Sequence, residues 1–427
     1  MNRSLVGKTV LITIILTIAS ILPISIEIVF FNQHKKLPLQ SISTFPQHSY
    51  DNSIPIVTVS INPNIELLSV VLSFTTWFNT MGLPEDVNYT YRDDIRDWFG
   101  NDNDHSAIKK AQFLLNDYGF SYDAPPSFIL HFGPPPNLVQ KFNYSEYVLM
   151  TGGGKEELDS FVKELRNFTV ETTFIDFFTQ HQSFYEEIST PFSEGQNWSD
   201  IATTLETFFG IEKTSYSIIL APFMFPGGGI GAIIEDGTDT HLFSIILTGT
   251  IQDDLPQYGD PLYNRYLALH EFGHGFVNPI VEDHYDEFDQ YLKLYWPVYS
   301  NMTKMKYTSW KTMLREILIR AFSAWVYAGE FGEDKASNIL DNEEQRGFYF
   351  IRQIYDAYSE YIDNRDKFPT FEDFIPEIIK VLDRVSQGTD TKSVTVDRDI
   401  PGLQFFEVLL SLGIVIIAIR KKYSFIL

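Results

Sequence analysis

The residues that decide the fold are His270-Glu271-Phe272-Gly273-His274, set in the largely apolar stretch Pro261 to Val277. Residues i and i+4 share one helix face, so two imidazoles one turn apart can reach a single Zn²⁺ ion. Glu271, next to the first histidine, projects to the side of that ion. Zinc brings the pKa of a bound water toward neutrality, and a carboxylate so placed accepts the proton as a carbonyl is attacked. The surroundings fit a helix. Pro261 suits a first turn, Leu267 and Leu269 flank the motif, and Asn278-Pro279 is expected to end it.

Upstream, the pattern changes to short strands. Tyr216 to Leu220 is apolar, Pro226 and glycines 227–229 make a turn, and Ile230 to Ile234 is apolar again. Asp236 to Asp239 forms a second turn before His241, Phe243, Ile245 and Leu247. Three short runs with Gly-rich turns predict a small sheet ahead of the motif helix. If 241–247 is an edge, an extended peptide can pair with it beside the zinc; a fully paired strand removes that option. From Pro261 almost to Val385 the pattern is helical.

A catalytic zinc needs a third protein ligand and an open position. The longer signature with a third histidine after a glycine is not reproduced. Glu316, in the apolar run Leu314 to Phe322, is the first candidate, because a buried carboxylate is costly unless paired or metal-bound. A plain Glu316–Arg320 pair at i,i+4 explains the same spacing. Glu282, Asp283, His284 and Glu287 are rival ligands. Arg320, one turn from Glu316, can orient a ligand, stabilise an oxyanion or form a structural salt bridge. His284, Tyr285, Tyr291 and Tyr295 are further oxyanion candidates among which the sequence does not choose.

The region from 56 to 212 reads as mixed but mostly helical. Ile56 to Ile61 alternates like a strand, and Glu66 to Phe78 and Lys155 to Asn167 fit helices. Phe174, Phe177, Phe178 and Phe184 recur at helical spacing and read as core. Thr151 to Lys155 lacks the spacing of a phosphate loop and reads as a turn. Gly133 to Pro136 reads as a rigid loop.

Composition narrows the function classes. The 427 residues are 44% hydrophobic with 36 Phe and 23 Tyr, which excludes a disordered chain. The formal net charge of −24 argues against nucleic acid as a partner. With no Cys, disulfides, thiol catalysis and Cys-ligated zinc are excluded.

Both ends read as membrane-directed. Arg3 and Lys8 precede an apolar run from Val10 to about Phe31, the pattern of a signal peptide or signal anchor over 1–31. Leu403 to Ile419 is apolar and is followed by Arg420, Lys421 and Lys422, a membrane anchor or sorting tail over 403–422. After Pro401-Gly402 this tail resembles the tripartite Pro-Gly, hydrophobic, basic tails of archaeal surface proteins, with Leu403 in place of the usual Phe. Basic residues on the outer side of both segments put the intervening chain outside the cytoplasm. Sequons at Asn88, Asn143, Asn167, Asn197 and Asn301 fit that side. Linkers are expected at 32–55 and 386–402, an N-terminal subregion at 56–212 and a catalytic core at 213–385.

Over roughly 60–385 the chain resembles the DUF4932 family of prokaryotic proteins, whose HExxH motif marks them as zinc metalloproteases by inference. The resemblance rests on Phe174 to His181 (FIDFFTQH) with Tyr185, on Phe208-Phe209-Gly210 and Tyr216 to Leu220, and on His270 to His274 with Asn278-Pro279. It continues to Glu316 and Arg320-Ala321. It implies a gluzincin-like arrangement with His270, His274 and Glu316 on zinc, and it names no substrate.

The expected fold is α+β: a mostly helical zincin-like metallopeptidase core, a small sheet before the motif helix, and terminal transmembrane helices. The expected function is a membrane-anchored, extracytoplasmic zinc metallopeptidase acting on a peptide or protein substrate, with Glu271 as base and Arg320 assisting. The alternatives are a non-catalytic zinc-containing surface binding protein and zinc hydrolysis of another amide or ester.

Overall fold

Runs such as Ile218 to Ala221 and Ile245 to Leu247 carry apolar side chains at consecutive positions, which suits strands covered on both faces. In the computed structural model, which describes residues 55–388, four such strands form one sheet. They are β1 (Val57–Ser60), β2 (Ser215–Ala221), β3 (Gly229–Asp236) and β4 (Asp239–Leu247), in the order β1-β2-β4-β3. β1 and β4 both run parallel to β2, and β3 pairs antiparallel with β4. The three strands expected at 216–220, 230–234 and 241–247 are therefore present. The edge expected at 241–247 is not. β4 is hydrogen-bonded on both sides, to β2 and to β3, so it offers no free edge to a peptide. The chain returns by hairpin and inserts β4 between β2 and β3, a crossover that no local pattern encodes.

The sheet's two faces are covered by two cores. Tyr216, Ile218, Leu220, Leu242 and Ile246 face the core that holds the motif helix. Ile219, Ile230, Ala232, Ile234 and Ile245 face a second, Phe-rich core built mostly from residues 65–185. β1 is joined to β2 across the expected division at 212/213.

The helices that matter below are α1 (Pro63–Ser73), α2 (Thr90–Phe99), α3 (Ala124–Ile129), α4 (Glu146–Thr151) and α5 (Lys155–Glu171). Then come α6 (Phe174–Gln180), α7 (Gln182–Glu194), α8 (Ser199–Phe209), α9 (Pro261–Asp283), α10 (Trp310–Phe331) and α11 (Glu333–Arg346). α1 begins three residues before the expected Glu66, because the Asn62 side chain accepts from the Asn64 and Ile65 N–H groups and Pro63 takes the first turn. The Phe-rich stretch near 168–185 is divided by Thr173, which adopts a left-handed φ of 52°.

α9 does not stop at Asn278-Pro279 but continues to Asp283 with Pro279 inside it. Proline removes one backbone donor, yet Ile280 and Val281 beyond it are buried in the core and hold the last turn in place. Gly275 sets how closely α9 lies on the sheet. A Cβ there would stand 2.2 Å from Leu242 Cδ2, so a larger residue would push helix and strand apart.

The segments 1–31, 32–54 and 403–422 lie outside the described residues. Among the described residues no helix is long and apolar enough to cross a membrane. Of the sequon asparagines, Asn88, Asn143, Asn197 and Asn301 are exposed and Asn167 is half-buried.

Candidate metal centre

α9 presents His270 and His274 one turn apart, their rings 4.9 Å between centroids and mutually perpendicular. α10 crosses α9 and brings Glu316 to them. His270 Nε2 is 3.6 Å from Glu316 Oε2, and His274 Nε2 is 3.5 Å from Glu316 Oε1. These separations are long for hydrogen bonds. They suit donors sharing one ion, since two ligands about 2.1 Å from a tetrahedral metal stand about 3.4 Å apart. The three ligand atoms lie within 4.8 Å of one another, and the group could hold a metal ion.

Charge states agree with that use. Burial holds the His270 imidazole well below its ordinary pKa, hence neutral and free to coordinate. Burial opposes ionisation of Glu316, but the Arg320 guanidinium, with smaller contributions from His270 and His274, outweighs it and holds the carboxyl at about 2. His274 is oriented from behind by Asn278, whose Oδ1 lies 3.2 Å from His274 Nδ1. The residue expected to end the helix thus serves the site instead.

Arg320 is committed to its neighbours. Its Nε and Nη2 donate to Glu316 Oε2 at 3.0 and 2.8 Å, Nη1 donates to Glu343 Oε1 at 2.9 Å, and Nη2 donates to the Tyr307 hydroxyl at 2.9 Å. Glu316, Arg320 and Glu343 are all buried. Such a network is stable only when each charge is paired. The geometry therefore places Arg320 behind Glu316, as a group that orients the carboxylate and fixes its charge.

Glu271 points elsewhere. Its side chain lies beneath β3, an edge strand of the sheet among the described residues and next to α9, where Gly229 and Gly231 leave room for it. A Cβ on Gly229 would stand 2.8 Å from Glu271 Oε1, and one on Gly231 3.0 Å from Oε2. Burial, then the neighbouring Glu316, push the Glu271 carboxyl up to about 8, against the charge of Arg320 and the Gly231 N–H.

A family model described as "Domain of unknown function (DUF4932)" matches residues 57–381. The chain belongs to DUF4932. No curated protein matches it, and no solved structure does. The two-histidine, one-glutamate set expected from this DUF4932 sequence is thus brought together in space.

The rival ligands are not. Glu282 pairs with Lys311 and Arg315, His284 with Glu287 and Glu372, and Asp283 is exposed. Tyr285 lies under the Lys311 ammonium, and the Tyr295 hydroxyl donates to the Tyr307 carbonyl. Sequence reasoning missed Tyr307 and Glu343, which anchor Arg320 from outside α10. It also missed Asp123, whose carboxylate acts electrostatically on both His274 and Glu271. Their separation from the motif along the chain hid all three.

Proposed function

We propose that this DUF4932 protein is a zinc metallopeptidase. The observation that carries the proposal is one cluster, buried His270 and Glu316 with half-buried His274, and a separate carboxylate, Glu271, beside β3, an edge strand among the described residues. Two imidazoles and one carboxylate form a donor set suited to zinc, and three protein ligands leave a fourth position for water or substrate. When bound, zinc supplies Lewis acidity that activates water and polarises a carbonyl.

The chain's own residues supply the rest. Glu271 is the general base: its ionised carboxylate takes the proton of the attacking water, and the same carboxyl can return that proton to a leaving amine. Arg320 keeps Glu316 ionised and fixed in orientation. Asn278 holds the His274 ring. β3 is the strand next to Glu271 whose outer side no strand pairs among the described residues, which favours an extended peptide over a compact amide or ester as substrate. The zincin-like core and gluzincin-type ligand set belong to this proposal. So does attachment to the membrane through 1–31 and 403–422 with the site outside the cytoplasm, which rests on sequence alone.

The direct test replaces Glu271 with Gln. The variant should keep its metal and lose cleavage of a denatured protein substrate by about a thousandfold or more, the range of a lost general base together with its electrostatic role. Cleavage at the parent rate would remove Glu271 from the mechanism.

A further inference from the structure

Asp123 stands immediately before α3, where an aspartate commonly caps the first N–H groups. Here its side chain caps none of them. The carboxylate turns instead to α4 and accepts a 2.7 Å hydrogen bond from the Tyr147 hydroxyl. α3 packs against β3, the strand that lies over Glu271. The Asp123 carboxylate consequently shares an electrostatic field with His274 and Glu271, yet it stands outside the three-residue ligand group. Among the described residues no Lys or Arg pairs with it. Burial raises its pKa, as expected for an anion drawn from water without a cationic partner.

Around it, Tyr122 and Tyr147 are partly exposed at 41% and 38%. Tyr122 carries a left-handed φ of 53°, an uncommon conformation for a tyrosine. The residue before the carboxylate thus has a constrained backbone, and the residue that holds it is fixed by a hydrogen bond. A half-buried carboxylate held by one tyrosine hydroxyl and paired with no Lys or Arg among the described residues suits a cation through charge. The acidic chain as a whole would also draw cationic ligands toward it.

We propose that Asp123, held by Tyr147, is a cation-binding subsite beside the metal site, taking an ammonium or guanidinium group of the substrate close to the scissile bond. This rests on the metallopeptidase reading and deepens it, because it names the substrate class. The cation has two possible sources: a free α-amino terminus, which would make the enzyme act on chain ends, or a Lys or Arg side chain.

The test measures binding rather than turnover. The purified full chain, loaded with zinc, is titrated with norleucine hydroxamate, Nα-acetyl-lysine hydroxamate and Nα-acetyl-norleucine hydroxamate, which carry an α-ammonium, a side-chain ammonium and no cation. One of the two cationic probes should bind about tenfold or more tightly than the neutral one, and which one does identifies the source. Asp123→Asn should erase that preference while zinc content and affinity for the neutral probe stay the same. If Asp123→Asn does not fold, Tyr147→Phe carries the test and should reduce the preference severalfold. Equal binding of all three probes, or a preference that survives in the variant, overturns the subsite and leaves the zinc site standing. If no hydroxamate binds the zinc-loaded chain, the open metal site itself fails, and this subsite with it.

Discussion

Glu316 and Glu66 are both glutamates on helices, both buried, at 6% and 1% exposure. Their charge states are opposite. Glu316 receives two hydrogen bonds from Arg320 and is held at about 2. Glu66, on α1, receives one hydrogen bond at 2.6 Å from the Tyr91 hydroxyl of α2, which is itself 2.7 Å from the Tyr185 hydroxyl of α7. Its Oε1 finds no partner. Burial, opposed only by the Tyr91 hydrogen bond, pushes it up to about 8. Burial penalises the charged form in both places, and a nearby cation decides the result. An ionised carboxylate can ligate a metal, whereas a protonated one must first lose its proton. The contrast explains why one of these buried glutamates suits a metal centre and the other a structural core.

The sharpest way to break the comparison is to remove the cation. Arg320→Met leaves Glu316 buried without its guanidinium partner and Glu343 with Arg346 alone, and should destabilise the fold by about 3–5 kcal/mol, read from the shift in urea midpoint at constant slope. A loss below about 1 kcal/mol would mean that Arg320 does not set the charge of Glu316.

The next effect is on the other glutamate. The folded pKa of Glu66 lies above its unfolded value near 4.5, so the folded state holds its proton more tightly. The stability this contributes is fully present below pH 4.5 and is lost as pH rises toward about 8, by about 1.4 kcal/mol per pH unit. Glu66→Gln should remove that slope, so parent and variant diverge between pH 5 and 8, with the variant relatively more stable at the alkaline end. Parallel stability curves would show that Glu66 is ionised in the fold and would dissolve the contrast.

Smaller effects sharpen the metal side. Asn278→Ala frees the His274 ring and should weaken zinc binding by about 10- to 100-fold in a competition titration with a chelator. Unchanged affinity would make Asn278 a bystander. Tyr307→Phe removes one of the donors and acceptors around Arg320. It should cost about 1 kcal/mol of stability with zinc still bound, and a loss of metal instead would give Tyr307 a larger part than its geometry assigns.

What the sequence revealed follows the same physics. His270, Glu271 and His274 were legible because one helical turn compels them to act together. Glu316 was legible because a carboxylate in an apolar run needs a partner, and its Arg320 partner lies one turn away. Glu343, Tyr307 and Asp123 were not legible, since each reaches the centre from another element. The strands could be located from their apolar runs, but their order could not, because pairing of β4 between β2 and β3 is a long-range choice. Asn278-Pro279 misled as a helix end. Local propensity was overridden there by the burial of Ile280 and Val281 and by the hydrogen bond of Asn278 to His274.

The central claim is that Glu316, and not merely any buried glutamate, completes a zinc site with His270 and His274. Metal content of the purified full chain, measured beside Glu316→Gln and Glu66→Gln, tests it most directly. The account predicts close to one zinc per chain in the parent and in Glu66→Gln, and loss of it in Glu316→Gln. Zinc retained at the parent level in folded Glu316→Gln, or no divalent metal taken up by the folded parent after zinc is added, would contradict it.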